Sequence, residues 1–305
     1  MHVDYFKCGI IKVKIFRFAQ YKHLIDKESD AQLPLLKSVV KNRLGHNIRR
    51  IDRFTQLALI GASDCKGNLD LPKKTGVIMA SDFASLSNAS SVLSSMFQYA
   101  SSPSPYDFIH TVSNAASYYL ALEFKLTSHN LFISQQHATL QSCLSLAEID
   151  INCFNLNAVL IGQVNEVGMP FSAHRERAGM NASHILSESS SWFLLANSLG
   201  SEKSVADVLL NIEGTDVQAL NVQIKDELNQ MKKTINIMAR LDGAFCDCLR
   251  SYLVESAEVY KFEMNEQKSS SEVLFDFLQS GEFDVLVIAE RVNQYKWNVL
   301  IVSIM

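Results

Sequence analysis

Along this chain, short unbroken apolar runs closed by polar or small residues alternate with stretches in which apolar side chains recur every three or four positions. The first pattern marks buried strands and the second amphipathic helices. Residues 8–17 read as a strand, 30–44 as loosely helical, and 54–59 as the start of a helix with Phe54, Leu57 and Ala58 on its apolar side. A buried strand follows at 75–80, then a serine-rich helix at 84–99 carrying Leu86, Val92, Leu93, Met96 and Phe97. Pro103 and Pro105 break that helix, because proline cannot continue a helix and restricts the residue before it.

The stretch at 131–149 organises the rest. Leu131, Phe132 and Ile133 stop at Ser134, Gln135 and Gln136, after which Leu140, Cys143, Leu144 and Ala147 recur at helical spacing. This predicts a strand, a sharp turn and a helix, with His137 at the turn. Unpaired backbone N–H groups and the helix dipole there favour developing negative charge, which is where enzymes place nucleophiles. Strands are expected at 157–167 and 183–196. A second half begins at 201, with strands at 205–212, 234–239, 259–263, 284–289 and 298–304 and helices at 216–233, 245–255 and 269–279. Such alternation predicts an α/β fold.

Composition narrows the class. The chain has 305 residues, 48% apolar and 20% charged, with a net charge of −4, and so reads as a soluble globular protein with an ample core. Lys and Arg cluster mildly at 37–53, which reads as a solvated helix face, and no basic run points to nucleic acid. The six cysteines are scattered, as reduced core thiols are, and Cys246 and Cys248 lack a second Cys/His pair, so no metal site is expected. Without a signal peptide or an apolar span of membrane length, no membrane insertion and a cytoplasmic location are expected.

Residues 128–139, Ser-His-Asn-Leu-Phe-Ile-Ser-Gln-Gln-His-Ala-Thr, resemble the ketosynthases, condensing enzymes with the thiolase fold. In that family a segment of the type Gly-Pro-Asn-Leu-(x)2-Ser-(x)2-Cys-Ala-Ser carries the acyl-accepting cysteine. Asn130, Leu131, Ser134 and Ala138 match in register, and His137 falls on the cysteine. A shift of one would put Gln136 there, and Cys143 lies too far along the helix. Arg49, Arg50, Asp52, Arg53 and Phe54 are similar to a family segment before the first core strands. The strand at 75–80 corresponds to a Gly-Val-(x)-(x)-Gly strand, and Gly162 and Glu166 match a later Gly/Glu strand. Ser189, Ser190 and Ser191 replace small glycines.

The resemblance implies a thiolase-like layered αβαβα fold of two related halves, residues 1–200 and a shortened 201–305, packed as one globular unit. It also implies that residues 103–122 form a two-fold interface and acyl-tunnel wall, through Phe108, Ile109, Val112, Asn114 and Tyr118 together with Gln135 and Gln136. Their chemistry suits an apolar wall, and Ala115, Ala116 and Ser117 allow close helix packing.

Two further family histidines, which bind the malonyl carbonyl, are replaced: Arg240 lies at or near the first and Glu266 at the second, while the lysine before it is retained as Lys261. A carboxylate cannot act as a neutral donor to an enolate oxygen unless its pKa rises well above about 4.3. Acyl transfer also needs a thiolate at the turn. With all three positions changed, no catalytic residue is expected and the chain is not expected to be an enzyme on its own. This combination resembles the chain length factors of type II polyketide and aryl polyene systems. The implied partners are an active ketosynthase, in a heterodimer, and an acyl carrier protein that the basic stretch at 37–53 would meet; no cofactor is implied. His137 would plug the former nucleophile site, hydrogen-bonded through Gln135 or Gln136. Two alternatives stay open: His137 with Glu266 or Glu166 as a general base in malonyl decarboxylation for priming, or a homodimeric acyl-binding protein.

Overall fold

A computed structural model describes residues 12–25, 33–135, 137–181, 185–231, 236–241, 259–262, 268–293 and 295–304. The first strand, β1 (Lys14–Ile25), outlasts the 8–17 expectation because it pairs antiparallel along its length with β5 (Leu186–Ala196), from Lys14 opposite Ala196 to Ile25 opposite Leu186. Residues 8–11 of that expectation, the helix at 245–255, Cys246 and Cys248 lie outside the described residues. Between β1 and β5 come α1 (Lys37–Leu44), α2 (Arg53–Lys66), β2 (Thr75–Ser81), α3 (Leu86–Phe97), α4 (Pro105–Ile109), α5 (Ala115–Glu123), β3 (Asn130–Ser134), α6 (Thr139–Asn152), β4 (Ala158–Asn165) and α7 (Phe171–Arg177). The second half carries β6 (Ala206–Gly214), α8 (Val217–Gln230), β7 (Asn236–Leu241), β8 (Val259–Phe262), α9 (Ser270–Ser280), β9 (Val285–Asn293) and β10 (Lys296–Ile304). The short α7 has no counterpart among the expected elements.

The helix starts follow from local chemistry. Asp52 accepts the Thr55 N–H at 3.0 Å to open α2, and Ser269 with Glu272 forms a reciprocal capping box at the start of α9. Proline at the first position of α4 gives up an N–H that would have had no partner, and Ser104 accepts the Asp107 N–H.

The strand order β3-β2-β4-β5-β1-β6-β10-β9-β7-β8 contains an internal repeat. In the first half β2 runs parallel to β3 and β4, and β5 runs antiparallel to β4 and β1. In the second, β7 runs parallel to β8 and β9, and β10 runs antiparallel to β9 and β6. Five strands thus recur with one order and one set of directions, and the halves meet where Lys14 and Ile15 of β1 pair with Asp207 and Ala206 of β6.

Side chains alternate across each strand, so each half has two buried faces. On the outside of the first half, Phe54, Leu57 and Leu120 of α2 and α5 pack on Val77, Leu160, Trp192 and Leu194. On its inside, Ile78, Ile161 and Phe193 meet Leu140, Cys143 and Leu144 of α6. The same cluster continues through Leu274 and Phe277 of α9 to Leu286, Ile288, Leu300 and Val302 in the second half. The outer face of that half packs on Leu220, Ile224 and Leu228 of α8. The result is five layers, helix, sheet, helix, sheet, helix, the αβαβα arrangement of two related halves.

The contact that tolerates least is in β4. Gly162 sits opposite Trp192, and a Cβ at Gly162 would come within 2.3 Å of the indole Cδ2. Trp192 is fully buried and its Nε1 donates to Ser190 Oγ at 2.9 Å, so the ring has no room to yield. Gly162→Ala is expected to cost about 1–3 kcal/mol by overpacking. Urea melts would check it, and Trp192→Phe in the same chain should recover part of the loss through direct coupling.

Candidate functional site

The carboxyl ends of the parallel strands in both halves open on one cleft of about 680 Å³, the place where open α/β sheets expose their chain ends to ligands. From the first half come Asp82, just past β2, Gln163 and Asn165 on β4, Glu166, and His137 and Thr139 at the start of α6. The second half supplies Arg240 on β7, Glu290 on β9, and Ser269, Ser270 and Glu272 at the start of α9. The short α7 adds His174 and Arg177.

At the turn before α6, Ala138 takes a left-handed conformation with φ 51°. Gln135 Nε2 donates to the His137 carbonyl at 2.9 Å and to Ser142 Oγ at 2.7 Å, and Thr139 Oγ1 donates to the Gln135 carbonyl at 2.9 Å. These bonds fix the backbone of the turn. The His137 side chain is exposed and has no hydrogen-bond partner among the described residues. Gln135, one of the two glutamines expected to hold the imidazole, bonds the backbone carbonyl of His137 instead, and Gln136, the other, lies outside the described residues. Cys143 lies in the middle-layer core, where burial pushes its thiol up to about 12; it is inert.

The cleft floor is polar and largely satisfied internally. Gln163 and Asn165 donate to the two Asp82 oxygens at 3.0 and 2.9 Å, yet burial pushes that carboxyl up to about 6. Glu166 accepts the Ser87 N–H at 2.7 Å in the first turn of α3, and burial raises it to about 7. Burial lowers the His174 pKa, and its Nδ1 accepts the Gly168 N–H at 3.2 Å, so the ring is held neutral with its proton on Nε2. Across the cleft, Ser270 Oγ and Gln141 Nε2 both donate to Glu290 Oε2, at 2.7 and 2.9 Å. Lys22 pairs with Glu272 at 2.7 Å.

Of the positions singled out in the sequence, His137, Glu166, Ser189 and Arg240 line this one cleft, with Gln135 at the same turn. Lys261 falls in β8, beside Met238 in the ladder, and Gln136 and Glu266 lie outside the described residues. Phe108, Ile109, Val112 and Tyr118 form a different feature, an apolar surface 49–59% exposed on and around α4 and α5, with Asn114 at the N-cap of α5. Leu93, Phe97, Tyr99 and Leu122 are also exposed, as is Leu131 on β3, one of the two edge strands among the described residues. Beside this surface His110 is buried, bonded through Nε2 to the Arg50 carbonyl at 2.8 Å and stacked on Tyr119. Sequence reasoning missed Asp82, His174, Arg177, Gln141 and Glu290. For Glu290 a signal existed, a carboxylate closing the apolar run 285–289.

No protein-family model and no curated protein matches this chain by sequence. Solved structures match its fold throughout. The ishigamide ketosynthase/chain length factor superposes with a TM-score of 0.72 at 15% identity, over 96% of this chain and 99% of that one. A type II polyketide ketosynthase solved in complex with its acyl-carrier protein gives 0.69 at 13%, over 97% and 100%. A ketosynthase in complex with its chain length factor from Xenorhabdus doucetiae gives 0.64 at 12%, over 99% and 100%. The chain has the thiolase-like ketosynthase fold.

Among the described residues no helix is long and apolar enough to cross a membrane. The raised Glu166 carboxyl predicts a pH signature. Between its unfolded value of about 4.3 and its folded value of about 7, the native state holds a proton that the unfolded chain has lost, so stability falls as pH rises through that window. Asp82 adds to the same trend up to about 6. Glu166→Gln is expected to flatten the dependence and to exceed the parent at pH 8 by on the order of 2 kcal/mol, read from urea melts at pH 5 and 8.

Proposed function

We propose that this chain is a non-catalytic ketosynthase-like subunit that pairs with an active β-ketoacyl carrier-protein synthase and shapes its acyl tunnel, as chain length factors do, in elongation of polyketide, aryl polyene or fatty-acid type. The observation that carries this reading is the exposed apolar surface of Phe108, Ile109, Val112 and Tyr118 beside the edge strand β3. Apolar patches of this kind mark interfaces, and an edge strand offers unpaired backbone groups to a partner. Three of the similar structures carry chain length factor in their descriptions.

Chemistry at the turn supports the same reading. Residues 66–142 contain no cysteine, so the α6 turn has no thiol. An imidazole at that turn cannot form the thioester intermediate that a thiolate forms there. Lys37, Arg49 and Arg50 border a separate depression of about 350 Å³, a basic surface suited to an acidic carrier protein. In this reading residues 1–200 and 201–305 act as one unit.

Co-expression with each neighbouring ketosynthase tests the assignment. The expected outcome is a stable 1:1 complex that Phe108→Asp or Tyr118→Arg disrupts by at least tenfold in affinity, about 1.4 kcal/mol, while each variant alone keeps its melting temperature. His137→Ala should leave chain elongation by the complex unchanged. Malonyl decarboxylation by the isolated chain that His137→Ala abolishes would establish the priming-enzyme alternative instead.

A further inference from the structure

His110 closes the C-terminal end of α4 and is only 4% exposed, although Phe108, Ile109 and Val112 beside it in the chain are exposed apolar side chains. Its ring stacks on Tyr119 of α5 and reaches the segment that opens α2. Nε2 lies 2.8 Å from the Arg50 carbonyl, and a carbonyl only accepts, so Nε2 carries a proton. Nδ1 lies 3.5 Å from Asp52 Oδ1 and has no hydrogen-bond partner among the described residues. In the neutral ring, therefore, a lone pair faces a carboxylate.

Asp52 is held in that position. Its Oδ1 accepts the Thr55 N–H that opens α2 and its Oδ2 accepts from Ser85 Oγ, so it cannot turn from the ring without losing both bonds. Other charged groups on the surrounding elements are engaged elsewhere: Arg50 lies over the Tyr106 ring of α4, Arg53 pairs with Glu188, Asp107 accepts from Ser104, and Glu166 accepts the Ser87 N–H of α3. Among the described residues Asp52 is the one carboxylate within 4 Å of a ring nitrogen of His110.

A histidine side chain ordinarily changes charge between pH 5 and 8. A second proton, on Nδ1, replaces the opposed lone pairs with a charge-assisted N–H···O contact and strengthens the bond to the Arg50 carbonyl. Burial opposes a lone charge, but an imidazolium and Asp52 together carry none. A proton needs no open path, because local fluctuations bring it to a buried nitrogen.

We propose that His110 is a pH-operated latch on the docking face: protonated, it ties the α4–α5 turn to the start of α2 and fixes Phe108, Ile109 and Val112; neutral, it loosens them. That the latched surface is a docking face rests on the subunit reading above; the latch itself does not. A face already ordered loses less freedom on docking, so a ketosynthase should bind more tightly at pH 6 than at pH 8.

Hydrogen exchange of the full chain at pH 6 and pH 8, corrected for intrinsic amide rates, tests the latch without a partner. The expected result is severalfold greater protection of residues 105–118 at pH 6, measured against α6 as an internal reference, with ketosynthase affinity shifting in the same direction. His110→Gln, whose amide can donate to the Arg50 carbonyl but takes up no proton, should abolish both pH responses. Asp52→Asn, which keeps an oxygen for the α2 cap, should do the same, and it carries the test if thermal melts show that His110→Gln does not fold. Protection of 105–118 that is equal at the two pH values, or that responds to pH in the folded variants as in the parent, overturns the latch. Affinity that ignores pH while protection responds overturns its control of docking. Protection that responds to pH in a chain that binds no ketosynthase at either pH establishes the latch and overturns the subunit reading instead.

Discussion

The structure depends on one shared apolar layer. α6 from the first half and α9 from the second lie between the two five-stranded halves, and Leu144, Leu274 and Phe277 are buried against side chains of both. Neither half could bury its inner face alone: Ile161 and Phe193 on one side and Leu286 and Ile288 on the other are covered by these two helices. The same packing fixes where the two helices begin. Their N-termini, with Thr139 on one and Ser270 on the other, open on the same cleft, and the network Gln141–Glu290–Ser270–Arg240 ties them together.

That constraint separates scaffold from chemistry. The middle layer is indifferent to the residue at position 137, because the backbone of the turn is held by Gln135 and Thr139 and not by the side chain that points from it. A nucleophile can therefore be lost while helix, turn and cleft persist. What the cleft retains is electrostatic: Asp82 and Glu166 with burial-raised carboxyls, a neutral His174, and Arg240 bonded to a serine. Buried polar groups of this kind lower stability unless they are bonded or used. Away from the cleft, the surface around α4, α5 and β3 keeps large apolar side chains in solvent, a cost that a partner would remove.

Much of this was legible along the chain. The apolar runs at 75–80 and 157–167 have the composition of strands buried on both faces, and the α2 and α9 stripes announced their helices through Phe54 and Leu57 and through Leu274 and Phe277. The turn at His137 was legible because a strand pattern changes there to a helix pattern within a few residues. The strand order was not, since a period of two says nothing about which strand lies beside which. The cleft was only half legible: Arg240, Glu166 and His137 stood out by position, but Asp82, His174 and Glu290 come from separate elements that only the packed layers bring together. α7 escaped because Phe171–Arg177 is too short for periodicity to register.

Hydrogen exchange by mass spectrometry on this chain, alone and with a co-purifying ketosynthase, tests the central claim most directly. The account predicts slowed exchange in residues 105–123 and along the free edge of β3 at 130–134 in the complex, with no protection gained by α8 on the opposite outer layer. Complex formation that leaves 105–134 unprotected, or protection confined to α8, would contradict it.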